Sequence, residues 1–556
     1  MNTLPIELIE DICYLLRGRD LKRFRLVNKD INGIAEQCFW DTQTLVINLN
    51  REQLAAGMEM LEDLKNRCKT SGLVRAVIID SLAPQRASRY QQREDYKGFE
   101  GIEKSELERV KAACEALPKI LAGALSAMKN LRHITWGMNS PDQDTVPGDR
   151  ELKWTHSAFS ELWSLPHLDD VTLGTNCSPA IPFPPLQGLR HLKGFTVKGN
   201  WSVSDAIVSS TLSPMIANNP DLITLDLSPW DINNHHRCSF HLLFNDVPED
   251  GPPRKLEHLQ LHGWFVTLTP SAIPHLRNLQ SLTLRYAHNR YEGIWGVLQR
   301  EGIHLRDLEM ANAGDEVLDY LESFSGLETL AILAPEGISL EESARLSKRF
   351  YDDALPKHSK SLYDVRIGAV MDGPFSVGLD NAAVFSTLEY LETLDVCLRG
   401  EDLRPGEGTE KDVTAFLVTS LIPLRYFDYL SLHPTFPRHD PFTQFQSIVE
   451  TKIIREELRL TIVDCLEKFR LPKDRLPEEF KDEIPPFLVS TLTPNGHYLE
   501  ESEDDSEVLV FVREKRFKAN DSFHFIDLKA APLQDLQDLV FLTLVDGVDG
   551  ADLNPQ

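Results

Sequence analysis

The sequence predicts an α/β fold in which three short N-terminal helices precede a long, irregular solenoid of strand-plus-helix units, with a parallel sheet inside and helices outside. Three observations predict it. An apolar triplet of the form L-x-x-L-x-L recurs eleven times between residues 131 and 432. Helical patterns fill several of the segments between triplets. Apolar residues at helical spacing set the first forty residues apart.

Residues 3 to 40 read as three helices. Pro5 suits a first helical turn, where its missing donor costs nothing. Behind it Leu8, Ile12 and Leu15, with Ile9 and Leu16, form a wide apolar stripe. Gly18 ends that helix, Asp20 caps the next over Leu21 to Val27, and a third stripe runs through Ile31, Ile34, Ala35 and Cys38 to Phe39 and Trp40. So small a bundle cannot bury all these side chains in itself. Part of the apolar surface is therefore expected to belong to a partner, with roughly 1.5–3 kcal/mol for each large side chain covered. An amphipathic cap on the repeats, whose own core explains the stripes, is the alternative.

The text LPIELIEDICYLLRGRDLKRFRLVNKDINGIAEQCFW resembles the F-box family in Leu4-Pro5, Glu7-Leu8-Ile9, Ile12, Leu16, Asp20-Leu21, Arg25-Leu26-Val27 and the late Trp40. It departs from the family at Asn28, where cysteine or serine is common, and at Ile31, where many members carry tryptophan. The resemblance implies docking on a Skp-type adaptor and, through it, on a cullin-RING ubiquitin ligase. The residues it assigns to that contact are Leu4, Pro5, Leu8, Ile9, Ile12, Leu16, Leu21, Leu26, Val27 and Ile31.

The triplets are Leu131/Ile134/Trp136, Leu168/Val171/Leu173, Leu192/Phe195/Val197, Leu222/Leu225/Leu227, Leu256/Leu259/Leu261 and Leu279/Leu282/Leu284. Five more follow: Leu305/Leu308/Met310, Leu327/Leu330/Ile332, Leu362/Val365/Ile367, Leu391/Leu394/Val396 and Phe427/Leu430/Leu432. Their first positions lie 22 to 37 residues apart, the shortest intervals matching a leucine-rich repeat and the longer ones requiring insertions. The irregular spacing resembles the divergent arrays of F-box/leucine-rich-repeat proteins. Helices are expected at Ser204–Ala217, Tyr291–Arg300, Asp315–Phe324, Leu340–Ala354 and Glu410–Leu421, the first shortened or kinked by Pro214. Thr44–Leu49 and Leu73–Ile79, around a helix Arg51–Lys69, read as a first degenerate unit. Asn139–Gly148, Ser178–Gly188 and Asp246–Pro253 read as inserted loops.

After Leu432 the pattern changes to a long helix, Phe445 to Arg470, a proline-punctuated connector, Leu471 to Pro486, an acidic run, Glu500 to Glu507, and a closing strand at Val508–Val512. The expected organisation is thus 1–45 F-box-like bundle, 46–435 solenoid, 436–500 helical extension, and 501–556 acidic segment and cap.

Acids outnumber Lys plus Arg by 85 to 58, a net charge of −27 that repels phosphate backbones and anionic lipid. Between the triplet leucines, side chains point away from the core. Those positions hold Asp169, Asp170, Asp226, Glu257, Asp307, Glu309, Glu328, Asp364, Glu392, Asp395 and Asp428 against Arg132, Lys193, Arg306 and Arg366. The sheet face is expected to be acidic and to take a basic protein segment, or else to be a merely solvated face. Within it Asp226, Glu257, Asp307, Glu309, Glu328 and Asp364 are the candidate target contacts. Trp264-Phe265, and Arg285-Tyr286 with Tyr291, are candidate aromatic anchors.

Eight dispersed cysteines without a CxxC pair, an N-terminus without a basic n-region, and no apolar run long enough to span a bilayer lead to the expectation of a cytoplasmic or nuclear protein. His235, His236, Cys238 and His241 fit no closed zinc spacing. No P-loop, dinucleotide fingerprint, HExxH or nucleophile elbow occurs. No metal, cofactor or catalytic residue is expected. The acidic run holds Ser502 and Ser506 as possible phosphorylation positions. The resemblance implies a non-catalytic, substrate-recognition subunit of a Skp–cullin–F-box ligase acting by proximity. A leucine-rich-repeat scaffold without a ligase is the alternative.

Overall fold

The computed structural model describes residues 6–16, 21, 23–24, 26–27, 29–42, 44–49, 53–66, 71–81, 104–137, 158–175, 181–199, 201–229, 238–248, 251–285, 293–335, 339–369, 372–403, 412–435, 448–469, 471–472, 488–491, 509–513, 522–523 and 525–527. The chain forms two compact units, residues 1–297 and 298–556. In the first, strands lie side by side in chain order: Thr44–Asn48, Ala76–Ser81, His133–Gly137, Asp170–Thr175, Gly194–Gly199, Thr224–Pro229, His258–His262 and Ser281–Arg285. All these neighbours are parallel.

The second unit repeats the plan. Asp307–Met310, Thr329–Ile332, Asp364–Ile367, Thr393–Leu398, Tyr429–Pro434 and Leu488–Thr491 are parallel neighbours. Leu509–Arg513 and Phe525–Asp527 then join antiparallel. Parallel strands in chain order need a return path between them, and in most coils a helical segment supplies it. The predicted α/β architecture with a sequentially wound parallel sheet is therefore present in both units. The sheet runs past the expected end at residue 435, because Leu488–Thr491 lies parallel to Tyr429–Pro434.

The triplets explain the winding. Every triplet side chain is at most 3% exposed. Equivalent positions are in register, Ile134 opposite Val171 and Val171 opposite Phe195 in the first unit, Leu330 opposite Val365 and Val365 opposite Leu394 in the second. The intervening residues are mostly half-buried or exposed, so one face of each sheet is covered and the other open.

Register is fixed before each strand begins. The carbonyl of the residue that follows the first triplet position accepts two N–H groups from the next coil. Arg132 O takes Asp169 N and Asp170 N at 2.8 and 2.9 Å, Arg306 O takes Glu328 N and Thr329 N at 2.7 and 3.0 Å, and Tyr363 O takes Glu392 N and Thr393 N at 2.8 and 2.9 Å. Both lone pairs of one oxygen are thereby satisfied.

The N–H of several first triplet leucines is met by a side chain from the following return segment. Leu192 N donates to Asn219 Oδ1 at 2.8 Å, Leu305 N to the Tyr320 hydroxyl at 3.0 Å, and Leu327 N to His358 Nδ1 at 3.3 Å. Each of these side chains also donates to a backbone carbonyl: Asn219 Nδ2 to Leu189 O, Tyr320 Oη to Ile303 O, and His358 Nε2 to Leu321 O. Burial forces such pairing, since an unmet buried donor costs roughly 1–3 kcal/mol.

Two expected helices are interrupted in the same way. Ser204–Ala217 becomes the short helix Asp205–Ile207, a π-turn Val208–Leu212 and the helix Ser213–Asn218. Leu340–Ala354 becomes the helix Leu340–Arg349 and a π-turn Phe350–Ala354. Each π-turn stops two residues before a proline, Pro214 or Pro356. A proline ring crowds the carbonyl four residues back, and the widened turn relieves it. A helix not anticipated from the pattern, Lys104–Ala127, carries the apolar stretch from Leu117 on its buried face, with Pro118 inside it. The helix Ile448–Lys468 buries Ile462, Cys465 and Leu466, and the Cys465 thiol donates to Asp412, whose carboxylate caps the helix Val413–Leu421. No described helix is long and apolar enough to cross a membrane.

Leu330→Ala is expected to cost about 2–5 kcal/mol in urea unfolding, as a large-to-small change in a closed core. Burial pushes the His358 imidazole down to about 4. Between that value and its unfolded value near 6.5 the unfolded chain binds the extra proton, so stability falls as pH falls through this window, by up to about 3 kcal/mol. Relative to wild type, His358→Gln should be less stable at pH 7, with the gap narrowing towards pH 4. An unchanged gap across the window would contradict the linkage.

Candidate functional site

The N-terminal helix Ile6–Leu15 presents two adjoining stripes. Ile9 and Cys13, at a spacing of four, face inward and close a core with Leu21, Ile31, Ala35 and Cys38, against which Leu16, Phe24 and Ile34 are partly buried. Leu8, Ile12 and Leu15, on the next face, are 48%, 38% and 85% exposed, and Ile6, Leu26 and Val27 are exposed as well. The structure thus divides the residues that the F-box resemblance assigned to adaptor contact. Leu8, Ile12, Leu26 and Val27 lie on the surface. Ile9, Leu21 and Ile31 are the bundle's own core and hold the exposed helix in place rather than meeting a partner. Leu4 and Pro5 lie outside the described residues. Ile6 and Leu15 extend the exposed ridge, and helical spacing from Leu8 already pointed to Leu15.

The open sheet face differs between the units. In the first, strand positions facing away from the core hold His133 and Thr135, Thr172, Thr196, Gln260 and Thr283. Asp226 is only 6% exposed; its carboxylate accepts from the Ser228 hydroxyl at 2.5 Å and lies 3.6 Å from Lys198 Nζ, and burial nevertheless holds it above the ordinary carboxylate range. Asp226 is therefore a structural residue and not the exposed target contact expected from the sequence. Asp169 pairs with Lys193 at 3.5 Å, while burial raises Asp170. Glu257 is half-buried.

In the second unit the corresponding positions carry Asp307, Glu309, Glu328, Asp364, Glu392, Asp395 and Asp428. Three of these are tied internally. Arg306 makes a two-pronged contact with Glu328, 2.8 and 2.7 Å, and Arg366 does the same with Asp364, 3.2 and 2.8 Å. Asp395 meets His433 Nε2 at 2.9 Å. Asp307 and Glu309 are half-buried, and Glu392 and Asp428 are exposed. The expected acidic face is thus concentrated in residues 298–556, with its exposed acids at one edge. That edge also carries aromatic side chains the sequence pattern did not single out: Tyr363, Tyr390 and Tyr426, all exposed.

The other aromatic candidates fare differently. Trp264 is 2% exposed and donates through Nε1 to Leu227 O at 3.1 Å, so it is a core residue and no surface anchor. Its position just after a strand, between Gly263 and Phe265, gave no sign of that burial. Phe265 is half-buried in a bridge to Ser239. Tyr286 and Tyr291 lie outside the described residues, as do His235, His236, Ser502 and Ser506.

No group of three His, Cys, Asp or Glu side chains among the described residues converges as for a metal ion. Cys238 is buried, and desolvation with nearby Asp205 pushes its thiol up to about 12, away from a ligating thiolate. Ser431 Oγ and Asp395 Oδ1 both meet the same nitrogen of His433, at 3.0 and 2.9 Å. A catalytic relay needs them on opposite ring nitrogens. An open cavity of about 800 Å³ is lined by Tyr351, Asp352, Asp372, Asp380, Arg399 and Glu401. Asp380 holds Arg399 at 2.8 Å and Asp372 accepts from Gly400 N and the Thr435 hydroxyl, so these carboxylates close the cavity's own loops.

Trp264→Ala should therefore cost about 3–5 kcal/mol in unfolding experiments. A variant of full stability would return Trp264 to the surface candidates.

No protein-family model matches the sequence, and no curated protein matches it. Among solved structures, a chain of a crystal structure of a TLR13–ssRNA13 complex is similar at 14% identity with a TM-score of 0.24, over 67% of this chain. The match spans 56% of that other chain, little more than half its length.

Proposed function

We propose that the protein is a substrate-recognition subunit of a Skp–cullin–F-box type ubiquitin ligase, with the N-terminal bundle docking on the adaptor and the coiled array holding a protein target. The observation that carries the reading is the pair of stripes on the helix Ile6–Leu15. The inner stripe completes a closed core, yet Ile6, Leu8, Ile12 and Leu15 still expose apolar surface beside Leu26 and Val27. A ridge of this kind is stabilised when another subunit removes it from water. The F-box resemblance supplies the identity of that subunit, a Skp-type adaptor.

The mechanism is one of proximity. An array that holds the target raises its effective concentration near the transferred ubiquitin, and no acid–base or covalent step is assigned to this chain. The parallel, sequentially wound sheets suit the target half of the reading, because they place side chains in fixed rows on an open face. The same rows equally serve a protein-interaction scaffold that meets no ligase.

Co-purification with a Skp-type adaptor tests the docking half. Leu8→Asp with Ile12→Asp should reduce adaptor capture at least about tenfold, since two apolar contacts are lost. Both positions are exposed, so the unfolding midpoint should stay close to wild type. Ile9→Asp should instead destabilise the bundle itself. Undiminished capture by the double variant would show that the ridge is not the contact, and no capture by wild type would favour the scaffold.

A further inference from the structure

We propose that Tyr363, Tyr390 and Tyr426, with the acids beside them, form the docking site for an extended protein segment rich in arginine or lysine. This deepens the target half of the function proposed above and rests on it only for the fate of the bound protein. Tyr390 and Tyr426 are each 47% exposed and stack at 5.6 Å between ring centroids, nearly parallel at 10°. They sit immediately before the first triplet positions of successive coils, Leu391 and Phe427.

The acids are placed by the same hydrogen bonds that fix the register. Glu392 N donates to Tyr363 O at 2.8 Å, and Asp428 N to Glu392 O at 2.9 Å. Tyr363, Glu392 and Asp428 therefore occupy equivalent positions on adjacent coils, about 4.8 Å apart. Glu392 and Asp428 each follow a stacked tyrosine by two residues, and Glu389 is exposed next to Tyr390. The result is two short rows, one aromatic and one mainly acidic, side by side on the second unit.

Two observations point to a cationic partner. Exposed carboxylates lie beside exposed aromatic residues, a combination that favours a guanidinium or ammonium through charge and ring quadrupole together. The chain itself already uses this chemistry: Arg425 places its guanidinium carbon 5.7 Å from the centre of the Tyr426 ring. Their exposure sets these tyrosines apart from Phe350, Tyr351, Phe375 and Phe385 of the same unit, which are all buried. An extended segment projects alternate side chains at about 6.6 Å, within reach of successive members of such rows.

The purified full-length chain would be titrated into a fluorescein-labelled decapeptide of alternating arginine and glycine, read by fluorescence anisotropy at physiological ionic strength. A peptide with glutamate in place of arginine serves as control. The arginine peptide should bind and the glutamate peptide should not. Tyr390→Ala with Tyr426→Ala leaves the net charge unchanged and should weaken binding about tenfold. Tyr390→Leu with Tyr426→Leu, which keeps bulk but removes the rings, should match it, whereas Tyr390→Phe with Tyr426→Phe should stay near wild type. Glu392→Lys with Asp428→Lys should remove binding.

Retained affinity in the leucine variant would overturn the site, leaving only diffuse attraction to a chain of net charge −27. So would absent binding of the arginine peptide. Adaptor capture is read by a separate assay on separate residues. Its failure would leave this site standing, and failure here would leave the adaptor contact standing.

Discussion

A single carbonyl oxygen per coil, shared between two N–H groups of the next, is the interaction on which the molecule's order depends. At Arg132, Asp169, Lys193, Glu257, Arg306, Tyr363 and Glu392 the same backbone atom performs the same task. It sets the height at which each strand begins, and the apolar triplet then follows in register. A slip of one residue would turn every triplet side chain outward. The side chains at that position are free to vary, because the backbone holds the register. Side-chain chemistry can therefore vary where the fold makes little demand: arginine, aspartate, lysine, tyrosine and glutamate all occur at this one structural position.

The covered half of each coil follows from a different balance. Return segments of unequal length must end near the same point, and buried polar side chains tie them down. Asn219, Tyr320 and His358 each bridge a leucine N–H and a carbonyl on the return path. Three chemically different residues thus do one job, each offering an acceptor to a leucine N–H and a donor to a carbonyl. The two π-turns before Pro214 and Pro356 solve a related problem, passing a proline through a helical return without breaking it.

Much of this architecture was legible in the spacing of leucines, since period and burial are directly coupled. Leu131 to Leu432 marked strand after strand, and Leu8, Ile12 and Leu15 marked a helical face. Other features were hidden for physical reasons. Ile9 and Leu8 are adjacent, equally apolar residues, and only coordinates separate the one that fills the bundle from the one that faces water. Trp264 looks like an anchor because tryptophan is large and amphipathic, yet its indole N–H is spent on Leu227 O. Asp226 counts as an acid in any composition, but Ser228 and Lys198 engage it from within. The tyrosine rows escaped notice because Tyr363, Tyr390 and Tyr426 are scattered in sequence and meet only when coils are laid side by side. The helix from Lys104 was obscured by its charged first half, and Leu488–Thr491 by its distance from the last triplet.

The way the second sheet finishes has a bearing on self-association. A parallel coil stack ends on a strand whose outward amides and carbonyls invite another molecule to continue it. Here Leu509–Arg513 reverses direction against Leu488–Thr491, and the described strand beyond it, Phe525–Asp527, is three residues long. Leu509–Arg513 thus occupies the edge of Leu488–Thr491 that a second copy would otherwise extend, so the antiparallel closure discourages chains from joining end to end at that strand.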